Sequence, residues 1–79
     1  MSPQIMPLTF LPLGSKAKLS RISAGTGLKS RLAALGLTPG TEFTVLQHNG
    51  GTFLLSVRDS RLAIGSGMAY KIMVELLDN

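Results

Sequence analysis

Cysteine and tryptophan are absent from this 79-residue chain, histidine occurs once, and only four residues are acidic. Without cysteine there is no disulfide, thiolate ligand or cysteine nucleophile, and no redox compartment can be read from the composition. A metal site needs three or four ligands. His48 has no second imidazole, and Glu42, Asp59, Glu75 and Asp78 are dispersed along the chain. The methionines Met1, Met6, Met68 and Met73 form no cluster and read as core filler. The same poverty leaves no nucleophile–base–orienter set. No enzymatic activity, cofactor or metal site is therefore expected. Long apolar runs are missing too: stretches such as Phe10-Leu11-Pro12-Leu13 and Ile72-Met73-Val74 fall far short of the ~20 residues of a membrane-spanning helix. The first residues carry no basic segment and are broken by Pro3, Pro7 and Pro12, which is not the pattern of a secretory signal. The chain reads as soluble and cytoplasmic.

The length suits one small domain over residues 1–79, which on folding buries only about 60% of the surface its unfolded chain exposes. One thin core is all it can build. Residues 1–41 hold Lys16, Lys18, Arg21, Lys29 and Arg31 and no acid, a charge of +5; the remainder sets Arg58, Arg61 and Lys71 against four acids, −1, for a net +4. Such asymmetry suits an acidic protein partner, an anionic membrane surface or nucleic acid, beside the plain alternative of a solvated charged face.

Local pattern then divides the chain. Residues 1–15 are proline-rich and irregular, with Leu8, Leu11 and Leu13 placed to fold back onto the domain. From Lys16 to Ser23, Ala17 and Leu19 alternate with polar residues, but Ile22 comes one position late because Arg21 stands where the alternation expects an apolar side chain. This predicts a strand with an irregularity near its end. Thr26 is placed to cap a short helix over 27–35, with Leu28, Leu32 and Leu35 on one arc, Gly36 as the left-handed C-terminal residue and Pro39 preventing continuation. Thr38-Pro39-Gly40-Thr41 reads as a turn.

A hairpin follows, 41–48 and 52–58. A three-residue loop with a bulge, pairing His48 with Thr52, gathers Phe43, Val45, Phe53, Leu55 and Val57 on one face and is preferred; a two-residue turn would place Phe43 and Val45 with Leu54 and Ser56 and split the apolar residues. The three-residue loop also makes Leu46 and Leu54 a directly opposed pair on the other face. Asp59-Ser60 turns into a strand over 61–64, 65–67 is a loop or single helical turn, and the last strand runs over 70–76 with Ile72, Val74 and Leu76 inward. About five short strands and one helix between the first two read as a mostly β fold, a small partly open barrel of SH3-like or OB-like type.

The stretch Gly25-Thr26-Gly27-Leu28-Lys29-Ser30 looks superficially like a phosphate loop, but it lacks the remaining glycine of the dinucleotide pattern and any Walker ending, so it reads as a turn. Specific nucleic-acid binding is not expected, since Phe43 and Phe53 are assigned to the core and only Tyr70 and Phe10 are left as stacking platforms. A nucleic-acid-binding module nonetheless stands as the competing function, and a weak homo-oligomer through exposed strand edges as a third.

Met6-Pro7-Leu8, the block from Gly25-Thr26-Gly27-Leu28 through Leu35-Gly36-Leu37-Thr38-Pro39-Gly40, Val57 through Gly65, and Ala69 through Val74 closely resemble the FeoA family, in order, over residues 6–76. The resemblance implies an SH3-like barrel that serves as a cytoplasmic accessory of the ferrous-iron permease FeoB, with residues 1–5 as an N-terminal extension. Joined to the charge pattern, it leads to a partner-binding surface made of a basic rim, Lys29, Arg31 and Arg61, and an apolar anchor, Leu46 and Leu54.

Overall fold

The computed structural model describes residues 4–77. Its elements are β1 (Ile5–Pro7), a 3-10 turn (Leu8–Phe10), β2 (Lys16–Ile22), α1 (Thr26–Ala34), β3 (Glu42–Asn49), β4 (Thr52–Val57), β5 (Ser60–Gly65), α2 (Ser66–Ala69) and β6 (Ile72–Leu76). The strands make one antiparallel sheet in the order β1-β6-β2-β3-β4-β5, with β1 and β5 as its edges. A lone sheet with one apolar face can bury that face only by coiling on itself, which gives the SH3-like, partly open barrel. Leu19, Phe43, Val45, Phe53, Leu55, Ile64, Ile72 and Val74 from the strands form one buried cluster with Leu8, Leu32, Leu37 and Ala69 from the helical turns and their connections.

The barrel has six strands where about five were expected. The additional one is β1, whose Met6 lies opposite Val74; its proline sits on a sheet edge, where a missing N–H is tolerated. Ile5, assigned by sequence to the extension, opens this strand, and residues 1–3 of that extension lie outside the described residues. Leu8 and Leu11 fold back into the core as expected, but Leu13 stays 64% exposed. The last strand begins at Ile72 rather than at 70, because α2 and its turn take up the preceding residues.

Two bulges set the faces of the sheet. In β2 the register against β6 shifts between Leu19 and Arg21, so that Leu19 and Ile22 are both buried and Arg21 is turned out. In the β3–β4 hairpin the shift lies between Val45 and Gln47. The hairpin turn itself has two residues, not three: Asn49 pairs with Thr52, and Gly50 and Gly51 take φ values of +54° and +87°, as a type I′ turn requires. The bulge then restores the parity that a two-residue turn alone would spoil. Phe43, Val45, Phe53, Leu55 and Val57 do share the inner face, but the expected opposition of Leu46 and Leu54 does not exist. Leu46 is ejected at the bulge and Leu54 faces Gln47.

Helix α1 starts at Thr26 rather than being capped by it. Gly25 occupies the cap position, and no side chain bonds the free amides. At the other end Gly36, with φ +92°, donates to the Ala33 carbonyl at 3.0 Å, and Leu37 donates to the Leu32 carbonyl at 2.9 Å. This is the paired bonding of a Schellman motif, and its apolar contact brings Leu37, not Leu35, into the core. Leu35, expected on the buried arc, is 55% exposed because the chain reverses immediately after it.

Candidate functional site

Between the end of β2 and α1 lies a groove of about 330 Å³, lined by Arg21, Ile22, Lys29, Ala33, Leu37, Thr38 and Pro39. Each lining residue has a local cause. The β2 bulge places Arg21 at one lip with Ile22 below it. Lys29 and Ala33 are four residues apart on one helix face, beside the Leu28–Leu32 stripe that packs on the core. Leu37 reaches the floor through the Schellman turn.

The far wall is held by Thr41, the one buried polar residue among those described. Its Oγ1 accepts from the Thr38 amide at 3.2 Å, donates to the Gly36 carbonyl at 3.4 Å and lies 3.1 Å from the Thr38 hydroxyl. The Leu19 amide in turn donates to the Thr41 carbonyl at 2.9 Å, and the Gly40 amide to the Leu19 carbonyl at 2.8 Å, which fastens this loop to β2. The far wall is thus held by the Thr41 hydroxyl together with backbone bonds to β2.

Its electrostatics are one-sided. No acidic side chain lines it. Elsewhere, Lys16 Nζ lies 3.5 Å from Glu42 and Lys18 Nζ 3.8 Å from Glu75, so part of the basic excess read from residues 1–41 is neutralised on the outer face of the sheet. Asp59 sits in the β4–β5 turn. Among the described residues, Arg21 and Lys29 have no carboxylate within ion-pairing distance.

The five residues named from sequence fall in different places. Lys29 lines the groove. Arg31, two residues further along α1, is exposed and points to the opposite side of the helix. Leu54 and Arg61 share the outer face of β4 and β5, two and three strands from β2 in the sheet order. Leu46, 37% exposed, protrudes at the β3 bulge. The fold therefore brings Leu54 and Arg61 together but separates them from Lys29. Arg21 was not named as a site residue, although its out-of-step position in the alternation marked it. His48 packs its ring on Phe53, centroids 3.9 Å apart, at the hairpin end.

Residues 6–76 match the FeoA domain family. The chain belongs to the FeoA family. It is 38% identical over 69 residues, 87% of this chain and 84% of the other, to a Methanocaldococcus jannaschii protein described as "Putative Fe(2+) transport protein A". A crystal structure described as an iron uptake regulatory protein (FeoA) superposes with a TM-score of 0.82 at 35% identity, covering 94% of this chain and 99% of that one. The metal-dependent transcriptional regulator MtsR contains the same fold, with a TM-score of 0.82 at 26% identity over 91% of this chain but only 36% of its own. FeoA-type chains and such regulators thus share this barrel, and the groove described here is built from the stretch of this chain, residues 21–39, that lies inside the FeoA match.

Proposed function

We propose that this FeoA-family chain is a cytoplasmic accessory protein of ferrous iron uptake and acts by touching a FeoB-type GTP-binding iron permease. One observation carries the reading: the family match runs over residues 6–76, and the M. jannaschii relative named for Fe(2+) transport has nearly the same extent as this chain. Iron is the cargo of the system, and the role of this barrel is contact. Among the described residues no helix is long and apolar enough to cross a membrane, and no three His, Cys, Asp or Glu gather in a group. What the fold does offer is a preformed groove with cationic lips.

The test is binding of the purified chain to the cytoplasmic GTP-binding domain of such a permease from the same source, followed by interferometry and by GTP turnover. A saturable complex with a Kd of about 10 μM or tighter is expected. No complex at protein concentrations well above that value overturns the reading. The competing nucleic-acid module draws on the +4 charge and on Phe10 and Tyr70, which are 71% and 56% exposed. A labelled oligonucleotide titrated at two salt concentrations separates the two. The accessory role expects only the weak, salt-steep binding, about 10⁻⁴ M, of any cationic surface.

A further inference from the structure

We propose that the groove between β2 and α1 is the partner-docking site, and that it takes an acidic-apolar peptide segment: an apolar side chain on the floor followed closely by carboxylates at the lips. This rests on the reading that the chain works by protein contact, and it names the chemistry of the contact.

The floor of Ile22, Ala33, Leu37 and Pro39 is apolar, and the only charges in the lining are the cations of Arg21 and Lys29. Both cations line the same groove, and no described carboxylate of this chain lies within ion-pairing distance of either. Glu42 and Glu75 are held by Lys16 and Lys18. Among the described residues no carboxylate competes for these two cations, so they are available to an acidic segment of a partner. A guanidinium presents a planar fork that matches a carboxylate through two parallel hydrogen bonds, and the ammonium of Lys29 adds a second donor.

Shape narrows the occupant further. A phosphate or a nucleic-acid backbone would satisfy the cations but has nothing to set on an apolar floor. A cavity of about 330 Å³ is at the small end of the ~300–1,000 Å³ range of ligand pockets, and so suits roughly one or two anchoring side chains. The bulge contributes directly, because bulges re-aim side chains, and here the re-aimed residue is Arg21 at the lip. Because Thr41 and the Schellman turn already hold the far wall, the ordering required on binding falls mainly on the side chains of Arg21 and Lys29.

The probe is a fluorescein-labelled peptide in which two leucines are followed by two glutamates, with a glutamine twin and inorganic phosphate as comparisons. Nitrogen-15 NMR of the whole chain should show shifts centred on Ile22, Lys29, Ala33 and Leu37. The glutamine twin should bind about tenfold more weakly, because charge-assisted bonds are replaced by neutral ones. Arg21→Gln and Lys29→Gln should each weaken the peptide several-fold, while Arg61→Gln on the distant face leaves it unchanged. Equal binding of the twin, phosphate competing as well as the peptide, shifts confined to β4 and β5, or groove shifts that grow with protein concentration alone would each overturn the proposal. The permease domain supplies the last arm. Loss of its binding by a folded Arg21→Gln, Lys29→Gln double variant supports the groove, and undiminished binding removes the groove while leaving the accessory role intact. If the peptide seats in the groove but the wild-type chain ignores the permease domain, the groove stands and the permease reading falls.

Discussion

Adding one methyl group at Gly36 and at Gly27 should move stability in opposite directions. Gly36 has φ +92°, a region that costs an L-residue about 1–2 kcal/mol, whereas the φ of Gly27 lies outside the left-handed region, in the first turn of α1. A Cβ built at either position meets nothing within 4 Å, so neither change carries a steric penalty with neighbours and the backbone term stands alone. For Gly36→Ala that term is a loss of about 1–2 kcal/mol, or roughly 5–15 °C in Tm for a domain of this size. For Gly27→Ala the unfolded chain loses freedom and the helix gains propensity, a gain of about 0.5–1 kcal/mol. Gly36→Asn, whose side chain tolerates the left-handed region, should recover about half of the alanine loss. Thermal melts by circular dichroism give the sign and size. Hydrogen exchange at the Leu37 amide, which bonds the Leu32 carbonyl at 2.9 Å, shows whether the Schellman turn is what opened. If both alanines shift Tm the same way, or Gly36→Ala is silent, the account of how α1 ends is wrong.

Arg58 is the one non-glycine residue with positive φ among those described, +56° in the β4–β5 turn, and Arg58→Gly should raise the urea midpoint by the equivalent of about 1 kcal/mol. An unchanged midpoint would mean that the turn relaxes without strain. Thr41→Val removes the hydroxyl that joins Thr38 to Gly36 and should cost about 1 kcal/mol, with weaker peptide binding in the groove, while Thr41→Ser keeps both. Equal melts for the valine and serine variants would count against that role.

Alternation and punctuation made most of the barrel legible. Leu19 and Ile22, one position out of step, announced the β2 irregularity, and the Gly36 stop placed the end of α1. The inner face of the hairpin was readable because any acceptable register must gather Phe43, Val45, Phe53, Leu55 and Val57. The position of the extra residue was not, since a bulged three-residue loop and a two-residue turn with an upstream bulge bury the same five side chains. They differ only in what faces outward, and there hydrophobicity is silent. β1 escaped notice because a three-residue edge strand containing Pro7 leaves almost no periodic signal. The groove was hidden for another reason: Arg21, Lys29 and Leu37 come from β2, α1 and the loop that follows it, and the β2 bulge and the Schellman turn bring them to one opening.

The hairpin bulge makes its own test of how parity builds this fold. Deleting Leu46 joins Val45 to Gln47, whose partners Leu55 and Leu54 are already consecutive, so every observed pairing survives. The residue lost is 37% exposed, and the expected cost is about 1 kcal/mol with the fold retained. Deleting Leu54 from the neighbouring strand removes the same residue type, but it makes Phe53 and Leu55 adjacent and therefore sends them to opposite faces. Both are at most 1% exposed in the intact barrel, so one large core side chain must leave. That costs about 3–5 kcal/mol with the void left behind, enough to unfold a domain with so thin a core. Dispersed amide spectra for the Leu46 deletion beside a collapsed spectrum for the Leu54 deletion would show that the bulge absorbs Leu46 outside the ladder, whereas the inner face depends on an unbroken alternation in β4. A Leu46 deletion that unfolds would instead give the bulge a role in bending the strand that register alone does not supply.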